Sequence, residues 1–320
     1  MGQREVTEKK HPNKEANRIT KFLDLGLAGS VRFPVNVKQV ALELTPSFNA
    51  GPITAVRGES FKSIDGALIR HSNKKEWGIL YNTEITHPGR VNFTLAHELG
   101  HYMVHRHTIT SDRIECGQRD MLDENSGQLN IEAEANTFAA NLLMPNHDFR
   151  GQADGQPFSF DMMSHCADRY GVSLTAAVLK WLDFTKRRAI ALLSEEGGMH
   201  WSKSTNKAFR SGRYFATRQG YNEVPEASMA AQARFSWAAR DGVRHGPGIW
   251  FDNEDVIEHS IHSTEYSKTL TVLILDDVGG HDVPDDDAEE AELLVDTYSN
   301  FGYQLKTGQN SRPAAEFLYH

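Results

Sequence analysis

The sequence predicts an α+β protein built in successive pieces, and three observations carry that prediction. An apolar helical pattern over Phe93–Val104 follows two short strand-like runs. A second strong helical pattern runs from Asn130 to a stop at Pro145. From about residue 187 helical spacing gives way to apolar, partly β-branched runs. On this reading residues 1–16 are a disordered lead-in and 17–150 a first domain of helices plus a small mixed sheet. Residues 151–186 form a helix-turn-helix-like segment, 187–305 a β-rich α+β domain, and 306–320 a flexible tail.

The 320 residues suffice for more than one core, and 39% hydrophobic content describes a globular chain. With only Cys116 and Cys166 there is no disulfide framework, so a reducing cytoplasm is expected. No apolar run reaches membrane-spanning length, and the N-terminus is polar rather than signal-like. A net charge of −9 argues against wholesale nucleic-acid binding.

Taken in order, a helix carries Ile19, Phe22 and Leu23 on one face. Pro34 and Asn36 open a second short helix with Val37, Val40, Ala41 and Leu44 on its apolar side, stopped by Pro46. Strands are expected around Ile53–Val56 and Gly66–Ile69, and a turn at Ser72–Lys75 returns the chain as Trp77–Asn82. An edge strand of such a hairpin could hold an extended peptide by backbone pairing; an ordinary sheet without that role is the alternative.

The next helix, capped by Asn92, contains His97, Glu98 and His101 in the order H-E-x-x-H. Positions i and i+4 lie one above the other on a helix face, so the two imidazoles can converge on one ion. Neutral imidazole nitrogen suits zinc, and two histidines fill half of its tetrahedral shell. Glu98 projects beside the ion, placed to take a proton from a zinc-bound water. The pattern is that of a zinc-dependent peptidase. Mn2+ is also admissible in place of Zn2+. An exposed amphipathic helix would explain the two histidines alone, but Phe93, Leu95, Ala96, Leu99, Met103 and Val104 are too apolar for one. Gly100, costing about 1 kcal/mol in mid-helix relative to Ala, marks the close approach of another element.

The polar segment 111–127 reads as a loop. The helix from Asn130, taken as its cap, has Ile131, Ala135, Phe138 and Leu142 as its core stripe. Glu132 and Asn136 share a neighbouring face at i, i+4, an arrangement that suits a third ligand and a polar residue bonding back to the first ligands. Solvated acids on an outer face are the alternative.

The runs FTLAHELGHYMVH and IEAEANTFAANLLMP resemble the ImmA/IrrE family of metallo-endopeptidases, a gluzincin-like group. The resemblance covers about residues 17–150. It implies a zincin-like fold, cleavage of a DNA-binding transcriptional repressor, and a stress or mobile-element response. In the gluzincin pattern the ligand stands four residues before a polar helper, as Glu132 does before Asn136. Glu134 is turned about 200° around the helix from Glu132, so both cannot face the metal, and Glu132 is the expected ligand.

His107 occupies the third-ligand position of a metzincin, but that geometry needs a glycine where Val104 stands. The helix is therefore expected to continue past Val104. His105, one turn beyond His101, could graze the rim of the site, but solvated helix-end residues are the preferred reading for both His105 and His107.

Downstream, Tyr170-Gly171-Val172-Ser173 separates two helical runs in a helix-turn-helix pattern. The second run, Leu174–Asp183, offers only Lys180 as a base and makes a poor DNA reader, so a packing role is preferred. Ala189–Leu193 and Met199–Ser202 are expected to pair across Glu195–Gly198, and Thr269–Leu275 reads as a buried strand. From Trp201 to Arg218, Lys203, Lys207, Arg210, Arg213 and Arg218 are interleaved with Phe209, Tyr214 and Phe215, either as a nucleic-acid or ligand patch or, preferably, as a sheet's solvated face. An acidic run from Asp276 to Glu290 is expected to feed a helix through Leu293.

The expected protein is thus a cytoplasmic zinc endopeptidase acting on a helix-turn-helix repressor, with His97, His101 and Glu132 as ligands, Glu98 as base and Asn136 behind them. Its oligomeric state is left open. The alternative is a zinc-stabilised regulatory or toxin–antitoxin partner that acts by binding.

Overall fold

The computed structural model describes residues 10–27, 32–48, 51–71, 75–85, 88–107, 113–117, 126–217, 219–264 and 266–277, with backbone alone for 113–117 and 126–129. The acidic run beyond Asp277, the helix expected after it and the tail lie outside the described residues. Two compact units divide the chain between Asn146 and His147.

The first unit opens with α1 (Pro12–Gly26), which begins inside the segment expected as a lead-in. Pro12 presets the first-turn backbone, and Glu15, Ala16 and Ile19 are buried. Helix α2 (Val37–Leu44) is capped as expected, the Asn36 side chain accepting from the Gln39 N–H at 3.1 Å. Three strands follow, β1 (Ile53–Glu59), β2 (Ile64–Arg70) and β3 (Trp77–Asn82). Strands β2 and β3 pair antiparallel as the expected hairpin, and β1 adds parallel to β3. The returning strand β3 is therefore interior, and the sheet order is β1-β3-β2-β4. Strand β4 (Arg113–Gly117) lies in the segment expected as loop and forms an edge against β2. Ala67, Leu68 and Ile79 of the sheet are fully buried.

Helix α3 (Pro88–Gly100) packs on β2 and β3. It begins at Pro88 rather than after Asn92, because proline is suited to a first helical turn that lacks N–H partners. Asn92 sits inside the helix instead. Its amide donates to the Val35 carbonyl at 2.9 Å and accepts from the Val37 N–H at 3.4 Å, tying α3 to the start of α2. The chain continues past Gly100 as a π-helical turn, His101–His105. Helix α4 (Ser126–Leu143) likewise starts before its expected cap, leaving Asn130 exposed within it, and ends ahead of Pro145 as expected.

The second unit contains α5 (Asn146–Ala153) almost entirely, then α6 (Phe160–Tyr170) and α7 (Leu174–Phe184). Gly171, at φ 63°, turns the chain between α6 and α7, and Ser173 caps α7. Most of α7 is buried, Lys180 included at 2% exposure, and the helix packs on β5 (Arg188–Glu195). The helix-turn-helix-like segment, expected as a packing piece, thus falls in one compact unit with the second sheet. Strand β5 pairs antiparallel with β6 (Gly198–Ser204) across the expected turn, where Glu196 and Gly197 take φ of 48° and 78°. After α8 (Asn206–Arg210) and α9 (Trp237–Asp241) come β7 (Val243–His245), β8 (Val256–Ser263) and β9 (Lys268–Leu275). The sheet is antiparallel in the order β6-β5-β9-β8-β7, with Ile190, Leu192, Trp250, Val256 and Leu273 in its core. Two members of the basic run meet acids from elsewhere: buried Lys203 pairs with Asp183, and Arg213 donates to Glu254 at 2.6 Å.

Candidate metal centre

Helices α3 and α4 position the site, and their approach is set by a missing side chain. A Cβ on Gly100 would lie 3.1 Å from the Ala135 carbonyl oxygen and 3.1 Å from the Phe138 ring. This is the close approach that a mid-helix glycine implied. Arg90 of α3 also donates to Asp65 of β2 at 3.0 Å, fixing the helix against the sheet.

His97, His101 and Glu132 are buried, and one ligand atom from each lies within 4.8 Å of the others. The His97 and His101 Nε2 atoms are 3.0 Å apart. Glu132 brings Oε2 to 3.1 Å from His97 Nε2 and Oε1 to 3.3 Å from His101 Nε2. Donor atoms of a tetrahedral ion with bonds of about 2.0–2.1 Å stand about 3.3 Å from one another, so the set has the spacing that zinc requires. Burial would raise the Glu132 carboxyl, but the adjoining imidazoles of His101 and His97 outweigh it and hold the group well below the usual carboxylate range.

The ring nitrogens turned away from this point also have partners. His97 Nδ1 lies 2.9 Å from Asn136 Oδ1, which can only accept, so the proton is on Nδ1 and Nε2 presents a lone pair. Asn136 thus stands behind His97 as its i, i+4 relation to Glu132 suggested. Glu134 faces away from the cluster and meets His105, Nε2 to Oε2 being 2.9 Å. His105 is not the solvated helix-end residue expected: it is 4% exposed, and its Nδ1 lies 3.2 Å from His101 Nδ1. Burial, with the His101 charge second, pushes His105 down to about 4 against the pull of Glu134. The i, i+4 spacing places His105 beside His101, but spacing alone could not reveal its bond to Glu134, which depends on what α4 places there. His107 is exposed, as expected.

Glu98 is completely buried and lies against β2, where a Cβ on Gly66 would sit 2.8 Å from its Oε1. The site therefore combines three converging acceptors with a fourth group, a carboxylate, on the residue next to His97. Such a set can hold a divalent cation and move a proton beside it.

Among the described residues no helix is long and apolar enough to cross a membrane. A search of curated protein sequences finds no match to the chain. Residues 53–182 match the model of the IrrE N-terminal-like domain, Peptidase_M78. That span includes H-E-x-x-H, Glu132 and the elements that bring them together, and over it the chain is similar to the ImmA/IrrE family of metallopeptidases.

Proposed function

We propose that the protein is a zinc-dependent endopeptidase that cuts a DNA-binding repressor of helix-turn-helix type in a stress or mobile-element response. One observation carries the hydrolase reading: acceptor atoms of His97, His101 and Glu132 converge from two helices at the spacing of a tetrahedral shell. In this reading the two histidines bind through Nε2 and Glu132 through its carboxylate, leaving a fourth position for reactants. Zinc held there supplies Lewis acidity toward a peptide carbonyl and toward water.

The chain's own residues do the rest. Glu98 takes a proton from the attacking water as the new C–O bond forms, and delivers it to the amine nitrogen as the C–N bond breaks. Asn136 holds the His97 ring with its Nε2 lone pair turned to the cluster. Strand β4, at the edge beside β2, supports binding of an extended peptide by strand addition. The repressor as substrate draws its support from the family alone. Net charge of −9 and burial of Lys180, the one base on α7, speak against direct DNA binding.

Glu98→Gln should retain zinc and lower turnover by about 10²–10⁴-fold, the usual worth of a general base. His97→Ala should lose both metal and cleavage. Zinc content by elemental analysis and fragment masses from repressors encoded beside the protein report the two outcomes. Undiminished cleavage by Glu98→Gln would remove the general-base role, and intact repressors throughout would remove the substrate.

A further inference from the structure

We propose that Glu134 and His105 are positioning residues that fix the ring of His101 with its Nε2 lone pair facing the metal. The inference rests on the metallopeptidase reading and extends it to two residues outside the ligand set.

The argument follows the protons. The Glu134 carboxylate accepts and does not donate, so at 2.9 Å His105 Nε2 must carry hydrogen. A neutral imidazole has one donor and one acceptor, which leaves His105 Nδ1 as acceptor. At 3.2 Å it faces His101 Nδ1, which must then be the donor. His101 Nε2 is left with a lone pair, aimed where His97 Nε2 and Glu132 also converge. Three side chains thus pass one instruction from a carboxylate to a ligand atom.

The alternative arrangement shows what the relay prevents. With its proton on Nε2, His101 would donate to Glu132 Oε1, 3.3 Å away. That bond would occupy two of the three ligands at once and close the site to a cation. A carboxylate behind a ligating histidine is a common way to set its tautomer, and loss of such support costs about 10–100-fold in metal affinity. Here the support reaches the ligand through a second histidine, and the carboxylate is two residues from the ligand Glu132 on the same helix. The i+2 turn of α4 sends Glu132 to the ion and Glu134 to its support.

Zinc affinity of the full chain, by competition with a chromogenic chelator, and the tautomer of His101 in the metal-free protein, by imidazole 15N–1H correlation, test this together. Glu134→Ala and His105→Phe should each weaken zinc binding by about 10–100-fold. Glu134→Gln, which keeps an acceptor oxygen, should restore most of the affinity. In the wild-type spectrum His101 should carry its proton on Nδ1, and in Glu134→Ala it should shift toward Nε2. Unchanged affinity in both deletions, or a wild-type His101 protonated on Nε2, overturns the relay. A wild-type protein that takes no zinc would instead sink the metallopeptidase reading, and the spectrum would still decide the relay.

Discussion

Glu98 owes its place to an atom that is absent from Gly66. A Cβ there would come within 2.8 Å of Glu98 Oε1 and 2.7 Å of Thr94 Cγ2, so Gly66→Ala must displace the carboxylate. A misplacement of about 1 Å costs about 100-fold in rate. Gly66→Ala should therefore lose about that much turnover while zinc content stays at the wild-type level. Full activity in that variant would show the packing to be unimportant. At this scale the sequence was informative where one helix decides the matter. The spacing of His97 and His101, and the 200° between Glu132 and Glu134, are properties of a single helix and could be read without a partner. Gly66 and His105 could not, because their significance comes from residues far along the chain: Glu98 in one case and Glu134 in the other.

Elements show the same division between local and distant causes. Asn36, Ser173 and Pro145 mark helix ends through chemistry confined to one turn, and the structure uses them so. Asn92 and Asn130 have the same cap-forming chemistry, yet each helix starts earlier, and Asn92 is spent on a bond to residue 35. Strand β4 has little apolar content to announce it; pairing with β2 makes it a strand. The contact between α3 and α4 sets the ligand geometry and gives its own test. Alanine is favoured over glycine in a helix by about 1 kcal/mol. At Gly100 its methyl would press on the Ala135 backbone, which cannot swing aside like a flexible side chain. Gly100→Ala should thus lower the melting temperature and weaken zinc binding together, by calorimetry and chelator competition. A stabilised variant with unaltered metal affinity would show that the helices have room.

For the whole molecule, stability against pH has one readable contribution in the second unit. Burial holds Lys180 down at about 8, with the Asp183 charge acting the other way. An unfolded lysine keeps its proton to about 10.4. Between about pH 8 and 10 the unfolded chain therefore binds more protons at this position, and stability contributed there rises with pH. Below pH 8 both states are protonated and the contribution is flat. Lys180→Met should flatten the rise when denaturant midpoints at pH 8 and 9.5 are compared with wild type; an identical rise would assign it to other groups. The sequence pointed to the second sheet through β5, β6 and β9, whose runs are self-evident. Its strand order was not legible, because order depends on pairings across long loops.

That order has a consequence for the birth of the chain. Strand β9 is the last of the five to leave the ribosome, yet it is inserted between β5 and β8. Until residues 268–275 emerge, both neighbours expose raw hydrogen-bonding edges, open to mispairing with other nascent chains. Translation must nearly finish this unit before any of its central seam can zip.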